Sequence, residues 1–428
     1  MKKVVVTGIG AVSPIGNSFY ESWEAAKVGI SGIGPITRFD ASEMRWNVAG
    51  ELKGFNAGKY LSQKEINRLD PFVHYAVAAA MMAAEDAGLI PPSPPLLKGG
   101  KGGLDSGGVI IGSSRGGIST IEQSIVKSLK SELRTQNSEL GTHSHASRLS
   151  AYLMSSTTIS MASSYVAQKL GIKGRCLGIS NACASGTNAI GEAYSLIRSG
   201  YHGPVLCGGA EAPLCRICVE GYGVAGALSK VNYSYASRPF DRMRDGFVLS
   251  EGACILVLED YENALKRGVS IYGEIAGYGN TTDAFHQTIP DPEGEAKAIK
   301  MALNEAGLKP EDVNYINAHG TSTPLGDKAE TRAIKLSFGK MAYQIPVSSV
   351  KSMTGHMLAA SGALEAAFTL MSINEGIIPP MINLKEVDPE CDLDYVTQAR
   401  NAEIEVAISN SFGFGGVNAV LVFRRLDV

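Results

Sequence analysis

The stretch Cys176–Gly200, CLGISNACASGTNAIGEAYSLIRSG, decides how this chain reads. It opens on an apolar run of strand length, CLGIS, and passes through Ala182, Ala184, Ser185 and Gly186, all small enough to admit a neighbouring backbone. From Ser185 to Arg198 the apolar positions recur at helical spacing, and Gly200 closes the helix. Pro204–Gly208 then supplies another short apolar run. A strand, a turn of small residues, a helix and a second strand in succession predict an α/β protein with buried sheets.

The alternation extends outward. Lys3–Thr7, Val109–Ile111 and Ala253–Leu258 read as strands, and Pro71–Gly88, PFVHYAVAAAMMAAEDAG, as a helix ending at its glycine. From about Ile271 the pattern echoes: strand IYGEIAGYG, helix Glu295–Gly307, strand YINAHGTST, helix Gly362–Gly376, strand EVAISNSFGFGG. The echo predicts two similar halves, 1–270 and 271–428, with polar and glycine-rich residues at strand ends, where α/β folds face a shared crevice. Pro91–Gly108, PPSPPLLKGGKGGLDSGG, can neither continue a helix nor pack as a strand and reads as an exposed insertion; polar Leu133–His145 reads as a surface excursion.

Composition excludes several classes. Of 428 residues, 44% are hydrophobic and 19% charged, ordinary for a soluble globular chain. Lys and Arg number 39 against 42 Asp and Glu, and the net charge of −3 gives no drive toward nucleic acid or an anionic membrane. No run approaches the roughly 18 apolar residues that span a bilayer. The N-terminal apolar run is broken by Gly8, Gly10 and Pro14, which favours a first strand over a signal peptide. A cytoplasmic protein is expected. Its seven cysteines, odd in number and mostly in apolar segments, are expected to be reduced and buried.

Four motifs carry chemistry. In ISNACASG, Cys183 stands at the start of a helix, where free N–H groups and the dipole favour the thiolate, the form that attacks acyl groups. In NAHGTSTPLGD, His319 follows a strand and precedes hydroxyls, a setting for proton handling or for binding an oxyanion. In SSVKSMTGH, His356 follows another strand-like run, with Lys351 near enough to orient it and tune its charge. In SNSFGFGGVN, Phe412 and Phe414 alternate with glycines that expose backbone N–H groups, as an oxyanion hole requires, and Phe414 suits a movable gate. Each motif alone has a bland reading: a buried thiol, a loop histidine, a solvated lysine, a glycine turn. One nucleophile and two histidines at strand ends together fit decarboxylative Claisen chemistry.

With these motifs and RPFDRMRDGFV, the chain resembles the β-ketoacyl-acyl-carrier-protein synthase II family from VVVTGIGAVSPIG to NSFGFGGVNA. The resemblance implies a thiolase-type α-β-α-β-α sandwich of two similar halves, normally a homodimer. It implies that Cys183 is acylated, that His319 and His356 bind the malonyl thioester carbonyl, and that Lys351 orients His356. It implies an oxyanion hole from the N–H groups of Cys183 and Phe414, and Thr321 and Thr323 on the phosphopantetheine arm. Asn317, Glu365, Ser409 and Asn410 match positions that surround a structural monovalent cation, Na+ or K+, in some relatives. Substrates would be malonyl and acyl thioesters on an acyl carrier protein. Lys64 and Arg68, four apart in LSQKEINRLD, resemble its docking patch, with a solvated helix face weighed equally.

Departures bear on the substrate. Arg115 in SSRGG stands where the family usually lines its acyl pocket with an apolar or small residue, Tyr222 and Cys218 belong to the same region, and Phe412 is expected to bind substrate. Gly226 replaces a frequent arginine and Ser250 a usual glycine. A type II polyketide or specialised-lipid ketosynthase, and a chain-length-setting partner subunit in a heterodimer, are the alternatives; Cys183 speaks against the latter. Cys215 and Cys218 in LCRIC lack a second ligand pair for metal, and His143 and His145 in THSH lack a spaced partner. TGIGAVSPIG is not followed by an acidic ribose ligand at the expected distance, so no cofactor is expected beyond the carrier's own arm.

Overall fold

The computed structural model describes residues 2–91, 104–136 and 149–426, with backbone alone over 131–136. Most of the Pro91–Gly108 insertion, and His143 and His145, lie outside the described residues.

Ten strands carry the fold: β1 (Val4–Val12), β2 (Gly108–Gly112), β3 (Cys176–Ile179), β4 (Val205–Glu211), β5 (Gly252–Asp260), β6 (Gly273–Thr282), β7 (Tyr315–Asn317), β8 (Pro346–Ser348), β9 (Val406–Gly413) and β10 (Val417–Arg424). Six helices pack on them: α1 (Pro71–Asp86), α2 (Met161–Leu170), α3 (Ser185–Arg198), α4 (Pro292–Ala306), α5 (Pro324–Phe338) and α6 (Ala359–Glu375). Capping chemistry marks several ends. Asp70 accepts from the N–H of Phe72 ahead of Pro71 at the start of α1, and Gly307 and Gly376 close α4 and α6 in left-handed conformation.

The strands run β8-β7-β9-β10-β6-β1-β5-β4-β2-β3, with Asp394–Tyr395 added beyond β8. Within each half the spatial order is third, second, fourth, fifth, first, and the two first strands, β1 and β6, pair antiparallel where the halves meet. The echo in the sequence is therefore a repeat in space.

Five layers result. Helices α1 and α2 cover one half, and α4 and α5 the other. Between them, α3 touches β4 and β10, and α6 touches β4, β5 and β9. Apolar residues of α3 and α6, among them Ile190, Ile197, Leu364 and Phe368, share one core with Val6, Leu256 and Leu421. No helix among the described residues is long and apolar enough to cross a membrane.

One expectation about the cysteines is corrected. Cys207, Cys215, Cys218, Cys254 and Cys391 are buried, but Cys176 is exposed. It lies on β3, the free edge of the sheet, whose apolar residues face out of the single chain.

The central layer allows no slack. A Cβ on Gly209 of β4 would lie 2.2 Å from the carbonyl oxygen of Ala359, and so would one on Gly186 of α3. Gly209→Ala is expected to cost about 1–3 kcal/mol through overpacking, read as a lower chemical-denaturation midpoint.

Candidate active site

Cys183 sits in the single turn Ala182–Ala184, which runs straight into α3. Ala182 holds φ at +48°, a strained value for a residue with a side chain, and this sharp bend follows β3 directly. Ser185 braces the bend, its Oγ accepting from the N–H of Asn181 at 2.8 Å and donating to the carbonyl of Ala182 at 2.6 Å. Gly413 lets the last turn of β9 close on the nucleophile: a Cβ there would lie 3.3 Å from the N of Cys183. The N–H of Phe414 points at the Cys183 sulfur. Backbone donors of Cys183 and Phe414 thus flank the thiol, as an oxyanion hole needs.

His319 follows β7 by two residues. Its N–H and that of Gly320 donate to Glu330 at 2.8 and 2.7 Å, and Asn410 donates to the same carboxylate at 3.0 Å. Glu330 was not singled out in the sequence. The available signal is a charged residue among buried Ala329, Ala333 and Ile334 on the inward face of α5.

His356 follows a four-residue helix, Lys351–Thr354, and Gly355 at φ +67°. Its Nδ1 lies 3.1 Å from the Oγ of Ser361, which accepts from the N–H of Met357 at 2.8 Å. We assign the serine proton to Nδ1 and the ring proton to Nε2, which has no partner within the protein. The sulfur of Cys183 and a ring nitrogen of each histidine all lie within 4.8 Å of one another. They line a cavity of about 340 Å³ together with Phe247, Thr321, Thr323, Glu295, Phe412 and Phe414.

Lys351 is placed differently from expectation. It is buried, and its Nζ donates to the carbonyl of His319 at 2.6 Å and to Glu365 at 2.5 Å rather than to the His356 ring. An ammonium cut off from water needs a carboxylate, and Glu365 of α6 supplies it. The charge still acts on both histidines. Burial first, and then Lys351, holds His319 and His356 well below the ordinary imidazole range, so both are neutral. Burial likewise pushes the Cys183 thiol up to about 11, against Lys351 and the Phe414 N–H, which pull it down. Desolvation thus opposes the thiolate that the helix start favours.

The hydroxyls of Thr321 and Thr323 lie 3.0 Å apart on the cavity wall, and Thr323 also caps α5 by accepting from Gly326. Their loop hangs on a buried pair the sequence did not announce. Arg244 lies 3.2 Å from Asp327 and 2.8 Å from Asp388, and donates to the carbonyls of Thr323 and Pro324. Asp327 accepts from the N–H groups of Ser322 and Phe240, both at positive φ.

Other expected residues lie apart. Arg115 and Tyr222 do not line this cavity; they pair with each other, Arg115 Nε donating to the Tyr222 hydroxyl at 2.8 Å. Lys64 is on a helix of one turn, Gln63–Ile66, that ends before Arg68, so the two do not share a helical face. Arg68 instead stacks on Tyr152, 4.3 Å from its ring centre. Asn317 Oδ1, Glu365 Oε2, Ser409 Oγ and Asn410 Oδ1 are buried oxygens without hydrogen-bond partners. Ser409 pairs in register with Asn317, whose Nδ2 donates to the carbonyl of Glu365. Asn317, Ser409 and Glu365 thus lie together, and hard oxygens of this kind suit a cation without Lewis-acid duties, whereas Asn410, next to Ser409 on the strand, turns its amide to Glu330.

The chain matches the families described as Beta-ketoacyl synthase, N-terminal domain, over residues 1–264 and Beta-ketoacyl synthase, C-terminal domain, over 272–385. It is 47% identical to 3-oxoacyl-[acyl-carrier-protein] synthase 2 of Synechocystis sp. over 99% of this chain and 98% of that one. Identity to the protein of the same name from Staphylococcus aureus strain COL is 44%, over 100% and 99%. Among solved structures, the ishigamide ketosynthase/chain length factor superposes with a TM-score of 0.90 at 34% identity, covering 99% of each chain. A β-ketoacyl synthase from Burkholderia phymatum gives 0.86 at 35% identity, covering 100% of each.

Two neutral buried histidines make stability fall in acid. Their folded pKa values lie below the unfolded value of about 6.5, so under that pH the unfolded chain binds more protons. Urea midpoints of the wild-type chain are expected to drop as pH falls from about 6.5 toward 5, and to drop less steeply in His356→Asn.

Proposed function

The chain belongs to the β-ketoacyl synthase family of condensing enzymes, and from that premise we propose that it joins a Cys183-bound acyl group to malonyl-acyl-carrier protein in fatty acid biosynthesis. The observation that carries this reading is the approach of the Cys183 sulfur and the two histidine nitrogens to within 4.8 Å, with His356 Nε2 open to the cavity.

The chemistry follows from the geometry. The Cys183 sulfur attacks an acyl thioester, the carbonyl oxygen takes the N–H groups of Cys183 and Phe414, and the thiol proton leaves with the carrier's sulfur. Malonyl thioester then enters with its carbonyl toward His319 and His356. Neutral imidazoles donate hydrogen bonds to the enolate oxygen formed as the carboxylate departs as carbon dioxide, without surrendering a proton. The enolate carbon attacks the acyl carbon, and the carbon–sulfur bond to Cys183 breaks to return the nucleophile. Lys351, charge-paired with Glu365, holds the loop of His319, and burial together with its positive charge keeps both rings unprotonated. Thr321 and Thr323 hold the phosphopantetheine arm. Asn317, Glu365, Ser409 and Asn410 would hold a structural Na+ or K+, which would neutralise buried oxygens without entering the reaction, and no organic cofactor takes part.

The carrier partner is supported by a solved neighbour, a type II polyketide acyl-carrier protein in complex with its ketosynthase, at 34% identity. The higher identity to the 3-oxoacyl synthases favours fatty acids over polyketides, and a cytoplasmic setting goes with that. The chain works as a homodimer through the free edge β3, where Leu177 is exposed.

Incubation with acyl-carrier thioesters is expected to add one acyl mass to the intact protein and none to Cys183→Ala. Absence of any adduct on the wild type would overturn the condensing role. Leu177→Asp, which places a charge on the edge, is expected to give a monomer by light scattering.

A further inference from the structure

The thioester that forms on Cys183 has two directions in which its chain can run. One is the cavity of the histidines, where malonyl thioester must stand. The other is an apolar cluster against which Cys183 packs, formed by Leu214, Cys218, Val219, Tyr222, Phe247 and Leu358. Phe247 stands between the cavity and this cluster, its ring centre 5.1 Å from that of His356 and 5.5 Å from that of Tyr222. The chain must therefore lie on the Tyr222 side.

That side is closed by a polar pair. The Tyr222 hydroxyl, almost out of water, accepts from Arg115 Nε at 2.8 Å, and the guanidinium lies 5.1 Å above the phenol ring. Among the described residues Arg115 forms no ion pair, and its side chain donates to the Tyr222 hydroxyl. The backbone under it is pinned. Glu211, buried on β4, accepts from Ser113 Oγ at 2.9 Å, from the N–H of Ser114 at 2.7 Å and from the N–H of Arg115 at 3.0 Å. Arg115 can swing its side chain but cannot withdraw its base. Moving Tyr222 aside for a long chain would break the bond and leave a buried phenol unpartnered.

We propose that the Arg115–Tyr222 pair is the end wall of the acyl subsite and restricts Cys183 to short acyl chains. The inference rests on the acylation of Cys183 proposed above. Tyr222 acts on the chain by contact, and Arg115 is a positioning residue that holds Tyr222 in place.

The test is the initial rate of adduct formation on Cys183, by intact mass, with butyryl- and palmitoyl-carrier protein. The wild type is expected to load butyryl at least about tenfold faster, a discrimination of about 1.4 kcal/mol. In Arg115→Ala and in Tyr222→Phe the palmitoyl-to-butyryl ratio is expected to rise about tenfold. A ratio is insensitive to a general loss of active protein, which separates positioning from a structural role. Thermal melts screen both variants, and Tyr222→Phe, which keeps the ring, carries the test if Arg115→Ala does not fold. A ratio unmoved in a folded variant, or a wild type that loads palmitoyl as fast as butyryl, overturns the proposal. A wild type with no adduct of either length overturns the acylation reading instead.

Discussion

The carbonyl oxygen of Ala359 occupies the place where a side chain on Gly186 or Gly209 would have to be. This contact, between the first turn of α6 and both α3 and β4, is the constraint on which the rest of the molecule turns. It brings the helix behind the nucleophile and the helix behind His356 to backbone contact, although they come from different halves of the chain. Glu211 works in the same seam. It accepts from the N–H of Ala359 as well as from the loop of Ser113–Arg115. One buried carboxylate thus ties the His356 side of the site to the acyl side.

The electrostatics follow from that closeness. With water excluded, each charge must find a partner or be given up. Lys351 keeps its charge by pairing with Glu365, and Glu330 is held by two backbone N–H groups and Asn410. The histidines, with a buried cation nearby and no carboxylate of their own, give their charge up. Neutral rings that donate are what an enolate oxygen asks for, and a proton on both nitrogens would add a second buried positive charge beside Lys351. The same dry setting leaves the Cys183 thiol hard to ionise.

The loop of Thr321 and Thr323 shows how strain is kept in a folded chain. Ser322 and Phe240 both adopt left-handed backbone, and the same carboxylate, Asp327, accepts from both of their N–H groups. Arg244 neutralises that carboxylate and holds the carbonyls that follow. The hydroxyls on the cavity wall are thus positioned by an ion pair that touches no substrate.

Much of this was legible in the sequence. Strands and helices declare themselves through spacings of two and 3.6 residues, and NACASG, NAHGT, MTGH and FGFGG each mark a strand end because glycine and small residues are needed there. Those signals are local, and they determined the α/β class, the two-half echo and the identity of Cys183, His319 and His356 as the residues of interest. What lay beyond them depended on segments far apart in the chain. Lys351 pairs with Glu365 instead of His356, Glu330 holds the His319 loop, Arg115 bonds Tyr222, and Cys176 lies on an open edge. Lys64 and Arg68 part company because a helix stops one turn after it starts. Periodicity reports which residues share a face; it cannot report what the face meets. Burial, and with it the charge state of every group in the site, is a property of that meeting, and only the tertiary structure decides it.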